Sequence, residues 1–217
     1  MYLGGLNYNR LSSKENQHRE DRGLSHRDLS RAAPPVPYVA PTAYPCTVEE
    51  AKLACRISGS DEDSLISDYI GEAVECVQND AEIALCTQTR IQYLDDFPDG
   101  PIELRMPPVQ SVTSVTYYDF DNTQQTVSSS LYDTDLTSRP GLIMPTFAQV
   151  IWPIAMCKLH CVAVTFVCGY GAPTDVPLAA KKAIYLRVAA SYRVREMGPE
   201  ETKSYDNQIA KLRWRGV

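Results

Sequence analysis

At 217 residues and 44% hydrophobic content, the chain has room for one sizeable core or two lobes and not for several domains. Its formal net charge of −6 divides into +2 over residues 1–45, −13 over 46–180 and +5 over 181–217; an acidic body argues against a protein that grips DNA, because phosphate binding needs clustered Lys and Arg. No apolar run is long enough to span a bilayer, and the first residues lack the charged-then-apolar pattern of a secretion signal, so the chain is expected to stay where it was made, without a membrane.

Residues 1–45 are polar and then Pro-rich, ending in AAPPVPYVAPTAYP. Prolines favour extended backbone, and so polar a segment has little to bury by itself. It reads as an extended arm that lies across a neighbouring chain, with Tyr38 and Tyr44 as candidate contacts. Thr47-Val48-Glu49-Glu50 is a capping box and starts a short helix to about Ile57, ended by Gly59. Asp61 is placed to cap a second, long helix over about 61–85. Leu65, Tyr69, Ala73, Val77 and Ala81 recur on it every four residues, with Ile66, Ile70 and Val74 alongside, a wide apolar stripe.

The middle reads as β. Thr89, Ile91 and Tyr93 alternate with polar neighbours, and Pro98-Asp99-Gly100 is a turn signal. Pro107-Pro108 breaks the chain before a strand over Ser111–Tyr118, and Asp121-Asn122 suits a tight turn. Strands over Leu131–Thr134, Leu142–Met144 and Cys161–Cys168 complete a small antiparallel sheet, ended by Gly169 and Gly171. Asp175 and Pro177 then start a helix over about 176–195. Gly198-Pro199 opens a C-terminal helix over about 200–213, with Tyr205, Ile209 and Leu212 in a narrow stripe. The fold class is α+β: a helical body with an inserted antiparallel β lobe over 88–168, a core over 46–196, an arm over 1–45 and a C-terminal helix and tail over 197–217.

Groups that could do chemistry are sparse. Cys157, His160 and Cys161, with Cys168 further on, are the nearest approach to a zinc site, but their spacing is irregular. Packing is the preferred reading, and a metal-dependent enzyme built on them is the weakest alternative. Cys55, Cys76, Cys86 and Cys168 read as small buried hydrophobes with reduced thiols. Asp119 and Asp121, and likewise Asp95 and Asp96, sit beside turns, where Asp is common for backbone reasons. Of the three histidines, His18 and His26 lie in the arm, a poor place to hold a base. No GxSxG, phosphate-cradling or GxGxxG loop is present. No cofactor and no catalytic residue is therefore assigned, and the chain is not expected to be an enzyme.

The C-terminal KLRWRGV combines Lys211, Arg213 and Arg215 with Trp214. Such a segment can bind nucleic acid, which gives the alternative of a small nucleic-acid-handling protein. It can equally anchor a helix in a partner's groove, in which case Tyr205, Ile209, Leu212, Arg213 and Trp214 form the interface. In a third reading the stripe folds back on the chain's own core.

An ordered series of segments, TVEEAKLACRISGSDEDSLISDYIGEAVECV, FPDGPIELRMPPVQSVTSVTYYDFDN, VAVTFVCGYG and VPLAAKKAIYLRVAASYRVRE, resembles the head-to-tail connector (head completion or adaptor) proteins of tailed bacteriophages over about residues 46–196. The resemblance implies a structural virion protein of the neck, present in the host cytoplasm during assembly. Its copies would form a ring of about twelve under the portal protein, extend the DNA channel and dock tail or neck proteins. The family brings no catalytic residue. The long arm, the many cysteines and Asp121-Asn122, where such relatives often carry glycine, depart from its pattern. An acidic lumen would let DNA slide without counterion release, and Glu62, Asp63, Asp95, Asp96 and Asp99 are the lining candidates.

Overall fold

The computed structural model describes residues 34–147, 151–156, 158–193 and 198–213. In chain order the elements are β1 (Val36–Val39), α1 (Val48–Cys55), α2 (Asp63–Ala81), β2 (Gln88–Leu94), β3 (Ile102–Leu104), β4 (Val109–Tyr118), β5 (Gln124–Val127), a 3-10 turn (Ser129–Leu131), β6 (Tyr132–Asp135), β7 (Gly141–Pro145), β8 (Val162–Cys168), α3 (Leu178–Arg193) and α4 (Pro199–Leu212).

The helices begin where local chemistry directs. Thr47 Oγ1 accepts the Glu50 N–H at 3.2 Å, and the Glu50 carboxylate accepts the Thr47 N–H at 3.0 Å, so the capping box closes. The ends differ from expectation. Arg56, at φ 58°, stops α1 before Gly59 is reached. The cap of α2 is Glu62, with no side-chain capping bond, rather than Asp61. Glu82, at φ 54°, turns α2 off at Ala81, not near Leu85. Both stops bond their N–H groups back into the last helical turn, so a left-handed residue other than glycine suffices. Residues 83–85 are instead extended core, with Ile83, Ala84 and Leu85 all buried.

Two cores result. Ile66, Ile70, Val74 and Val77 of α2 pack with Ala180, Ile184 and Val188 of α3 and with Ile209 and Leu212 of α4. Leu65, expected in the stripe, is 42% exposed. The β lobe is not one sheet but two. One has five antiparallel strands in the order β1-β2-β8-β4-β5, and the other has three in the order β3-β7-β6. Leu94, Phe166, Val164 and Val115 from the first meet Ile102, Leu104 and Ile143 from the second in a dry layer.

Val36–Val39 of the arm forms an edge strand paired with the chain's own β2, so this part of the arm is held by its own chain while its side chains stay exposed; residues 1–33 fall outside the described residues. In β2 the side chains turned inward are Gln88, Arg90, Gln92 and Leu94, while Thr89, Ile91 and Tyr93 are only partly covered.

Candidate interaction surfaces and the joint between the cores

The inward polar side chains of β2 form a ladder in which each is satisfied. Gln78 of α2 accepts the Gln88 amide at 2.7 Å and the Leu85 N–H at 3.1 Å. Arg90 donates Nε to Gln88 Oε1 at 3.3 Å and Nη1 to the Pro35 carbonyl at 3.1 Å. Gln92 donates to the Glu103 carbonyl at 2.7 Å and accepts the Arg105 N–H at 3.1 Å. This ladder ties helical core, arm and second sheet to one strand. Burial lowers the Arg90 pKa from its ordinary value. Reading the sequence for function passed these residues over. The alternation of Thr89, Ile91 and Tyr93 with polar neighbours marks a strand and does not say which set is covered.

The stripe on α4 is covered by the chain itself. Tyr205, Ile209 and Leu212 are 6%, 5% and 6% exposed against α2 and α3, so the reason for assigning them to a partner's groove is gone. Tyr205 donates its hydroxyl to the Asp80 carboxylate at 2.6 Å, and the Arg187 guanidinium lies over its ring. Burial first, then the hydrogen bond to Asp80, pushes the Tyr205 phenol well above its ordinary range. Arg213 donates Nε to the Asp80 carbonyl at 2.7 Å. It is exposed but already tethered to the end of α2. Trp214 lies outside the described residues.

The arm's two tyrosines are placed differently. Tyr38 is 65% exposed and Tyr44 46%. Tyr44 rests on α2, where a Cβ at Gly71 would come within 3.0 Å of its hydroxyl.

The acidic candidates do not form one surface of like groups. Asp96 is 2% exposed and accepts the Phe97 N–H, so it cannot present its charge to a lumen. Asp95 is half-buried and accepts the His160 N–H at 2.7 Å, while its carbonyl accepts the Cys161 thiol. Asp63 pairs with Lys52, and Glu62 accepts the Tyr192 hydroxyl at 2.6 Å. Glu62 and Asp99 are exposed.

The cysteine–histidine segment is packing and turn. The Cys161 and Cys168 thiols donate at opposite ends of β8, to the Asp95 and Gln88 carbonyls. His160 stacks on Tyr93 with ring centroids 5.0 Å apart, and Cys157 lies outside the described residues. Among the described residues no three His, Cys, Asp or Glu side chains gather as metal ligands. Cys55, Cys86 and Cys168 are buried free thiols, whereas Cys76 is half-buried and accepts from Arg187 at 2.8 Å. Asp119, expected at a turn, accepts the Asp121 and Thr123 N–H groups. Those bonds and the one from Gln125 lower its pKa, the Gln125 bond contributing most.

A helical layer thus lies beside a two-sheet lobe, and the satisfied polar ladder joins them. Residues 45–144 match the family model of the phage gp6-like head-tail connector protein, a structural family and not an enzyme family. The fold is similar to a chain in the virion of a native gene transfer agent particle, with TM-score 0.69 and 18% identity over 84% of this chain and 96% of that one. It is also similar to a chain in the neck of an empty gene transfer agent particle computed with C6 symmetry, with TM-score 0.67 and 19% identity over 86% and 97% of the two chains. A third match is a chain in the neck of the native particle computed with C12 symmetry, with TM-score 0.63 and 20% identity over 84% and 95%. No curated protein sequence matches.

Proposed function

We propose that this chain is a structural head-to-tail connector in the neck of a phage-like particle. Its copies form a closed ring of about twelve, as in a neck with C12 symmetry. The ring sits against the portal, continues the DNA channel and receives tail components. The observation that carries this reading is the agreement of fold over nearly the whole length of neck chains, together with the connector family match over residues 45–144. The uneven charge is consistent with it, since an acidic body does not hold DNA in passage. Glu62, Asp63 and Asp99 remain the candidates for the channel wall, with Asp95 at its border; Asp96 is excluded by burial. Tyr38 and Tyr44 remain candidates for partner contact, and residues 1–33 are candidates for a tether to the portal or to the adjacent copy.

The test is the mass of the purified chain with and without portal protein, by native mass spectrometry, alongside particle yield from a strain lacking the chain. A closed ring on the portal and heads that fail to join tails are expected. A chain that stays monomeric beside the portal and is absent from purified particles overturns the proposal.

A further inference from the structure

Residues 34–46 run from one core to the other. At the sheet end, Val36–Val39 pairs with β2, and the buried Pro35 gives its carbonyl to the Arg90 guanidinium at 3.1 Å. At the helical end, Pro45 and Cys46 are buried, and Cys46 belongs to the same core as Ala51 and Cys55. Just ahead of them the Tyr44 hydroxyl lies against Gly71 of α2, 3.0 Å from where a Cβ would stand. Residues 40–43, between these anchors, are exposed or half-exposed. Proline recurs along the whole segment, at Pro34, Pro35, Pro37, Pro41 and Pro45. It fixes φ and favours extended backbone, so the segment keeps its length where a glycine-rich one would slacken.

The two layers also meet beyond the C-terminal end of α2, through Gln78 and Gln88 and through the main chain of Ala84 and Leu85. A contact confined to one end of a helix leaves the layers able to rock about it. Gly71 lies seven residues before Gln78 on α2, about 10 Å away at roughly 1.5 Å per residue. We propose that residues 34–46 are a strap that braces the β lobe against the helical core at this second point and so fixes the angle between them. The arm leaves the strap at its sheet end. A pull on the arm therefore reaches the Pro35–Arg90 anchor first, and then Gln88 and Gln78 through the bonds that join them to Arg90. The orientation of the lobe is thereby tied to whatever holds the arm.

The test lengthens the strap in the full chain. A flexible Gly-Ser segment of about six residues is inserted between Thr42 and Ala43, inside the anchors. As a control, the same segment is inserted directly ahead of Pro34, outside them. Spin labels on non-natural side chains at Ser130 in the lobe and Lys203 on α4, both exposed, report the distance between the layers by double electron–electron resonance. Thermal unfolding reports folding. Insertion inside the anchors is expected to widen the distance distribution roughly twofold, because the slack segment no longer holds the lobe, while insertion outside them leaves it unaltered. An unaltered distribution with the strap lengthened overturns the proposal, and so does equal widening by the two insertions. Should the lengthened strap prevent folding, Tyr44→Ala decides the matter at native length: a widened distribution supports the brace, and an unaltered one overturns it.

Discussion

The Gln78 side-chain oxygen accepts the Gln88 side-chain amide at 2.7 Å, a side-chain bond from the helical core to the β lobe. Both residues are buried, at 6% and 4% exposure, and the same oxygen takes the Leu85 N–H. The main chain after α2 adds bonds from the Ala84 N–H to the Pro107 carbonyl and from the Tyr170 N–H to the Leu85 carbonyl, so the side-chain bond is one part of the junction between the two layers. Gln78→Leu keeps the bulk but removes an acceptor from two buried donors. A loss of about 1–3 kcal/mol follows for stranded buried donors, or roughly 2–12 °C in Tm for a chain of this size. Thermal unfolding measures it, and an unchanged Tm would show that the joint is made elsewhere.

Arg90 holds the arm's strand. All four residues of β1 are exposed, so backbone pairing to β2 and the bond from Arg90 to the Pro35 carbonyl are what retain it. Arg90→Leu preserves apolar packing and removes both donors. Hydrogen exchange over Val36–Val39 is expected to accelerate about tenfold, corresponding to roughly 1.4 kcal/mol for one lost hydrogen bond, with exchange in α2 unaltered. Equal protection of β1 in the variant would refute this role.

Gly169 and Gly59 both have positive φ, at 119° and 92°, but only one is crowded. A Cβ at Gly169 would lie 2.4 Å from the Cys86 carbonyl oxygen, whereas at Gly59 it would meet nothing within 4 Å. Gly59→Ala therefore carries only backbone strain, about 1–3 kcal/mol. Gly169→Ala adds a clash with main chain that joins α2 to β2, and is expected to cost more or to prevent folding. Urea denaturation of the pair decides it, and equal midpoints would contradict the crowding argument.

Much of the architecture was legible because it is written in short-range signals. The Thr47–Glu50 box, the Asp119–Asn122 turn, the Pro199 helix start and the periodicity of α2 each work within a few residues. What was not legible depends on partners distant in sequence. Nothing near Val36 reveals that β2, some fifty residues on, will pair with it. The inward turn of Gln88, Arg90 and Gln92 follows from acceptors at Gln78, Pro35 and Glu103, which no local pattern announces. The stripe of Tyr205, Ile209 and Leu212 was seen correctly as apolar. Its cover, α2 and α3, became apparent only once the helices were packed, and periodicity alone does not distinguish a self-covered stripe from a docking one.

Buried thiols make the chain sensitive to alkali. Burial, with Glu50 adding to it, pushes Cys46 from its ordinary 9.0 up to about 12. Burial pushes Cys168 to about 12 as well, partly opposed by Arg90. The folded state keeps these protons while the unfolded chain releases them, so above the unfolded pKa the unfolded state binds fewer protons and stability falls as pH rises. The stabilisation is complete below about pH 9 and is lost between there and about pH 12. Urea midpoints measured at pH 7, 8.5 and 10 should decline across the last interval. The double variant Cys46→Ala, Cys168→Ala should start lower, because two buried side chains are trimmed, but should decline less steeply. Tyr205, whose phenol is also raised, keeps some slope in both proteins. Parallel decline of the two would place the alkaline sensitivity on groups other than these thiols.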